Sequence, residues 1–287
     1  MILITGAAGK TGQAVIRALA ARGKAIRALV HRPPQVRVVR DLGAQQVIAG
    51  DMRSPDILAR AAQGARAIYH ICPNMSPDES TIGQATLAAA QAARVEHFVY
   101  HSVLHPQTEA MPHHWLKLRT EERLFESGLP FTILQPAAYM QNVLAHWDQI
   151  RNEGLYPVPY AVETRLAMVD LEDVAEVAAL VLTQDGHQGA TYELVGPEVL
   201  SQIEVATILG QGLDQKVQPA VMSIRAWEAQ ARTSGLGEAK IEILVKMFQY
   251  YERYGFCGNS RVLGWLLGRA PTTFAGFVQR AARERAP

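Results

Sequence analysis

The sequence predicts an α/β fold, a doubly wound parallel sheet followed by a small, mostly helical C-terminal lobe. Three observations carry that expectation. The chain opens with a short apolar strand, a glycine-rich turn and an amphipathic helix. Strand-like and helix-like stretches then alternate as two βαβαβ halves up to Gln135, and beyond it the rhythm weakens. The expected division sets a nucleotide-binding core in residues 1–150. Remaining core elements and a substrate-binding lobe follow in 151–287.

Ile2, Leu3 and Ile4 form an apolar run too short for a helix, and it stops at Thr5-Gly6. From Thr11 an amphipathic pattern carries Val15, Ile16 and Leu19 on one side and ends at Gly23. Between them Gly6, Gly9 and Gly12 are spaced G-x-x-G-x-x-G. Glycine permits a sharp turn and close backbone approach, and a helix N-terminus presents positive partial charge. A pyrophosphate fits such a place, as in the Rossmann-type fold. Gly9-Lys10-Thr11 also looks like the end of a triphosphate loop, but G-x-x-x-x-G-K-T would need glycine where Ile4 stands. The ATPase reading is rejected.

The second strand is expected over residues 25–30, followed by His31-Arg32-Pro33-Pro34, and the third over 46–49, ending at Gly50-Asp51. Ser54-Pro55-Asp56 opens a helix with a cap residue and a first-turn proline. A fourth strand over 67–71 ends at Cys72-Pro73, and an alanine-rich helix runs to about Arg94. A fifth strand over 97–102 precedes a helix from near His113 to Gly128, then a sixth strand over 131–134. Later, Asp170 and Asp173 are expected to satisfy the N–H groups of a helix start, and residues 191–195 to form a last strand.

Composition excludes several classes. Net charge is +1, with no basic block for nucleic acid and no charge asymmetry for a membrane surface. Apolar runs such as 174–182 fall short of a membrane span. The N-terminus enters the first strand directly, without room for a signal peptide. Cys72 and Cys257 match no metal or redox spacing, so a reduced cytoplasmic protein is expected. The histidines at 97, 101, 105, 113 and 114 are dense, but no H-E-x-x-H or cysteine pair accompanies them, and no metal is expected. Ser102 lacks a G-x-S-x-G elbow, which argues against a hydrolase.

The end of the second strand selects the nucleotide. An acid there would accept the ribose 2′-hydroxyl, whereas an arginine would pair with a 2′-phosphate. Arg32 stands about twenty residues past the last glycine, with no acid at Val30 or His31, so NADP(H) is expected. Arg32 as a solvated surface residue is the alternative. Asp51 is placed near the adenine amino group, or is an ordinary turn aspartate.

The segments TGAAGKTG, GDMRSPDIL, SGLPFTILQPAAYMQN, TYELVGPEVLS and GRAPTTFAGFV resemble the NmrA-like branch of the atypical short-chain dehydrogenase/reductases over essentially the whole chain. The resemblance implies an NAD(P)-binding Rossmann core with a small lobe over the nicotinamide. Members divide into reductases of quinones and dyes and regulators that bind dinucleotide without turning it over. The expected coenzyme-binding residues are Gly6, Gly9, Lys10, Thr11, Gly12, Arg32, Asp51, Met52, Cys72, Pro73, Ser102, Lys117 and Pro136.

Ordinary short-chain reductases carry Tyr-x-x-x-Lys on the helix after the fifth strand, one turn apart and so on one face. Here Lys117 matches the lysine, while His113 stands in place of the tyrosine. Lys117, His113 and Tyr139 are the catalytic candidates. Imidazole titrates near about 6.5, but a helix N-terminus disfavours its charged form. Gln135 replaces an arginine often seen in the family, and Tyr139 and Met140 are expected to wall the pocket or fill the core. The aromatics at 248, 250, 251, 254 and 256 either pack internally or face a pocket or a partner subunit. The resulting expectation is an NADPH-dependent oxidoreductase acting on a small electron-poor molecule such as a quinone or enone. The alternative is a non-catalytic NADP(H)-sensing regulator with a protein partner; a homodimer fits either.

Overall fold

The computed structural model describes residues 1–285. In chain order, the first elements are β1 (Ile2–Ile4), α1 (Lys10–Ala20), β2 (Ile26–Val30), α2 (Gln35–Asp41), β3 (Gln46–Ala49) and α3 (Pro55–Ala62). Then come β4 (Ala67–His70), α4 (Glu79–Ala92), β5 (His97–His101), α5 (Pro112–Glu126), β6 (Phe131–Pro136) and β7 (Ala138–Tyr139). A 3₁₀ stretch, Met140–His146, leads to α6 (Trp147–Glu153), β8 (Leu155–Val158), β9 (Arg165–Val169), α7 (Leu171–Val181) and β10 (Ala190–Leu194). The chain closes with β11 (Val199–Ser201), α8 (Gln202–Leu213), β12 (Gln218–Val221), α9 (Ile224–Thr233), α10 (Glu238–Tyr254), α11 (Arg261–Leu267) and α12 (Phe274–Glu284).

Two compact units are formed. The first comprises residues 1–109, 113–135 and 174–192, and the second 110–112, 136–173 and the chain from Glu193 onward. The seven-stranded sheet has the order β10-β6-β5-β4-β1-β2-β3. β1 pairs in parallel with β2 on one side and β4 on the other, Leu3 lying opposite Arg27 and Ile68. The order therefore reverses between β1 and β4, and their carboxyl ends form the switch point where this architecture holds ligands. Strands covered on both faces must be apolar throughout. β1, β4 and β5 are buried at every position, and their polar exceptions are His70, His97 and His101. Leu3, Leu29, Leu58, Ile68, Phe98, Leu124 and Ile133 belong to one core cluster, each such side chain contributing about 1.5–3 kcal/mol of burial.

The second unit holds a three-stranded sheet, β11-β9-β7, and a two-stranded one, β12-β8. Its core gathers Met140, Trp147, Ile150, Tyr156, Leu209, Phe274 and Phe277. Helices dominate, as expected, yet the short strands escaped the sequence reading: runs of two to five residues are too brief to show a period. α2, seven residues behind two prolines, likewise shows no helical period in the sequence. Asp170 does accept the Glu172 N–H at 3.1 Å. Asp173 instead accepts the Thr272 N–H at 2.7 Å and pairs with Arg269 at 2.7 Å, tying distant loops rather than capping its helix. Phe248 packs edge-on against Trp227, and Tyr251 stacks on Phe256, so the late aromatics mostly fill the core while Tyr254 is exposed.

Candidate functional site

The glycine turn sits between β1 and α1 at the switch point. Gly6 has φ +55°, and a Cβ there would lie 2.7 Å from the Ile71 carbonyl oxygen. A Cβ on Gly12 would lie 2.5 Å from the Gly6 oxygen. These two glycines are required by the fold: one turns into the left-handed region against β4's end, the other lets α1 seat on the turn. Gly9 differs. Its Cβ would meet only the Gly6 oxygen at 3.3 Å, and no side chain caps α1, whose first turn carries no acid. The Gln13 amide donates to the Ala8 carbonyl at 2.7 Å and holds the turn in shape. Lys10 is exposed beside it, while Thr11 is buried. A helix N-terminus with a glycine at its cap and no competing carboxylate fits a pyrophosphate.

At the end of β2, the Gln35 side chain accepts the backbone N–H groups of His31 (3.0 Å) and Arg32 (2.9 Å), fixing the connection into α2. Arg32 is exposed, and no carboxylate among the described residues pairs with its guanidinium. At the end of β3, Asp51 is held bidentately by Arg53, with Nη2 2.7 Å from Oδ2. Those Arg53 hydrogen bonds keep the Asp51 carboxyl down at about 2. Arg53 also lies 3.9 Å from Asp78. Met52 is half-buried against the core.

α5 brings His113, Lys117 and Glu121 to one face by spacing of four. The Lys117 ammonium donates to Glu79 Oε1 and to the His101 carbonyl, both at 3.1 Å. Glu79 also accepts the Tyr100 hydroxyl at 2.7 Å. Glu121 accepts hydrogen bonds from the Ser102 hydroxyl and, at 3.0 Å, from the Gln135 amide. Burial pushes the Glu121 carboxyl up, against those donors.

Burial also drives the histidines neutral. His113 is lowered to about 3 and His114 to about 4, and the two rings stack edge-on at 4.5 Å. His113 Nδ1 is buried without a hydrogen-bond partner. Burial thus disfavours the imidazolium form on which an acid role for His113 would draw. His101, lowered to about 3 by burial, meets the Tyr69 hydroxyl at 2.5 Å. Thr132 donates to the His187 carbonyl, which makes it the acceptor of the His97 Nε2–H and fixes that tautomer. Cys72, just past β4, is buried, and burial raises its thiol further out of reach of ionisation; Pro73 beside it is exposed. No group of three or more potential metal ligands occurs among the described residues, and no helix there is long and apolar enough to cross a membrane.

In the second unit, Pro136 is buried and Tyr139 half-buried, the latter on β7 opposite Val169 of β9. Met140 is 1% exposed and belongs to that unit's core. The residues that sequence reasoning missed are Gln35, Arg53, Glu79, Tyr100 and Glu121. Glu121 was findable, four residues after Lys117 on a predicted helix. Glu79 was not, because its partner is 38 positions away.

Residues 1–274 match the model of the NmrA-like family. The chain is 28% identical over 284 residues to an NAD(P)H azoreductase of Xenophilus azovorans, covering 98% of each. It is 31% identical to a (4-alkanoyl-5-oxo-2,5-dihydrofuran-3-yl)methyl phosphate reductase of Streptomyces griseus, covering 100% of both chains. Among solved structures, an NADPH-dependent quinone oxidoreductase of Escherichia coli in complex with NADPH superposes with a TM-score of 0.85 at 27% identity, covering 98% of this chain and 99% of that one.

Proposed function

This chain belongs to the NmrA-like family, and we propose that it is an NADPH-dependent oxidoreductase passing hydride to a small, flat, electron-poor acceptor such as a quinone or an enone. The observation that carries the coenzyme half is the Gly6–Gly12 turn, where the fold excludes a Cβ at Gly6 and Gly12, while at Gly9 a Cβ would meet only the Gly6 oxygen at 3.3 Å. When bound, the coenzyme supplies the hydride. The turn's amides and the first turn of α1, with Lys10 and Thr11, hold the pyrophosphate. Arg32 holds the 2′-phosphate, and Asp51 and Met52 flank the adenine. Cys72, Pro73 and Ser102 wall the remainder. Lys117 uses two of its three ammonium hydrogens internally, leaving one for the nicotinamide ribose. In this proposal residues 1–150 supply the coenzyme core, and 151–287 add the remaining core elements and the lobe that receives the substrate.

The acceptor class rests on two supports. The named substrates of the relatives include a quinone and an oxo-dihydrofuran. Reduction of a conjugated acceptor places charge on a delocalised oxygen, which needs a weaker proton donor than a simple ketone does. That suits a chain whose tyrosine position holds a neutral histidine, with solvent delivering the proton. The test is NADPH consumption against a panel of quinones and enones. Turnover is expected with at least one; micromolar NADPH binding without turnover on any acceptor would defeat the proposal. The same neutral His113 favours a second reading, an NADP(H)-sensing regulator, whose mark would be capture of a protein partner that depends on the coenzyme's redox state.

A further inference from the structure

Glu79 opens α4 with its side chain only 4% exposed, and Lys117, 15% exposed, faces it at 3.1 Å. A buried ion pair gains little net stability over apolar packing of the same volume, because both ions lose their hydration. Its burial alongside the Tyr100 hydroxyl and the His101 carbonyl therefore asks for a task. The surroundings define one. The Tyr100 hydroxyl, itself fully buried, donates to the same Glu79 oxygen that receives Lys117. The lysine's second hydrogen goes to the His101 carbonyl at 3.1 Å. The other buried carboxylate on this side, Glu121, is engaged by Ser102 and Gln135 and does not hold the lysine.

We propose that Glu79, oriented by Tyr100, is a positioning residue that fixes the Lys117 ammonium so that its remaining hydrogen points at the coenzyme. The inference rests on the reading of Lys117 as a coenzyme contact. Three elements converge on it: α4 supplies the carboxylate, α5 the lysine, and β5 both the orienting hydroxyl and the carbonyl.

Calorimetric NADPH affinity tests this without requiring turnover. Lys117→Met and Glu79→Gln are each expected to weaken NADPH about fivefold or more, the loss of one charge-assisted contact. In the Lys117→Met background, Glu79→Gln should have no further effect, since it acts only through the lysine. Glu79→Asp, which keeps the charge, should recover most of the affinity. An equal loss in both backgrounds would make Glu79 merely structural and overturn the inference, as would unchanged affinity in Glu79→Gln. If Glu79→Gln does not fold, Tyr100→Phe keeps both charges and removes only the orienting hydroxyl. It should weaken NADPH about twofold in the parent and not at all beside Lys117→Met, and additivity there overturns the inference equally. A parent protein that binds no NADPH defeats the oxidoreductase reading itself; a parent that binds it with Lys117→Met unaffected defeats only this inference.

Discussion

The glycine turn after β1 and the buried face of α5 lie in the same compact unit and are built from opposite materials. The turn is made of backbone and of missing side chains, with exposed cations, Lys10 and Arg32, in the same stretch of chain. The α5 face is made of ionisable side chains withdrawn from water and compensated by one another: Glu79 with Lys117 and Tyr100, Glu121 with Ser102 and Gln135. The backbone part of the first arrangement is robust to pH because its charges are partial and fixed. The second is held by pairing, so each group depends on the protonation of its neighbours. A binding function needs the first; tuning of charge beside a reacting group needs the second.

The largest expected effect divides the turn against itself. Gly6→Ala places a Cβ 2.7 Å from the Ile71 carbonyl oxygen at φ +55°. It should cost about 3 kcal/mol of stability as well as NADPH binding. Gly9→Ala has only a 3.3 Å contact to absorb, so it should unfold near the parent temperature yet lose affinity. Thermal unfolding with parallel NADPH titration reads both. If the two variants lose stability alike, Gly9 serves the fold rather than a ligand.

Next, acid should find the buried face and spare the turn. His113 falls from its ordinary 6.5 to about 3 on burial, so between those values the unfolded chain takes up a proton that the folded chain refuses. Stability is fully present above the unfolded pKa and is lost as pH falls, by about 2 kcal/mol between pH 7 and 5 for this one ring. Urea unfolding at pH 7 and pH 5 should therefore show a smaller drop in His113→Gln than in the parent. Parallel drops would mean that this imidazole stays open to water. The smallest effect belongs to the exposed cation. Arg32→Ala should weaken NADPH by about 1.5 kcal/mol, roughly tenfold, while NADH affinity and unfolding stay unchanged. A retained preference for NADPH would assign the 2′-phosphate to another residue.

Much of the first unit was legible in the residues. β1 and β3 were anticipated to the residue, and the glycine spacing marked the turn, because both depend on local rules: apolar runs for strands covered on two faces, glycine where a side chain cannot stand. α2 was missed, since its seven residues follow two prolines and show no clear apolar face. The strands of the second unit were missed for want of length.

Chain order, the class of fold, the glycine turn and the departure at position 113 were all determined by the sequence by itself, for they live within a few neighbouring residues. That His113 is neutral, that Glu121 is protonated more readily than an exposed carboxyl, and that Lys117 is tethered to Glu79 were decided only by the tertiary structure. Ionisation and pairing depend on burial and on partners brought from as far as 38 positions away, and no periodicity in one strand or helix encodes what packs across from it.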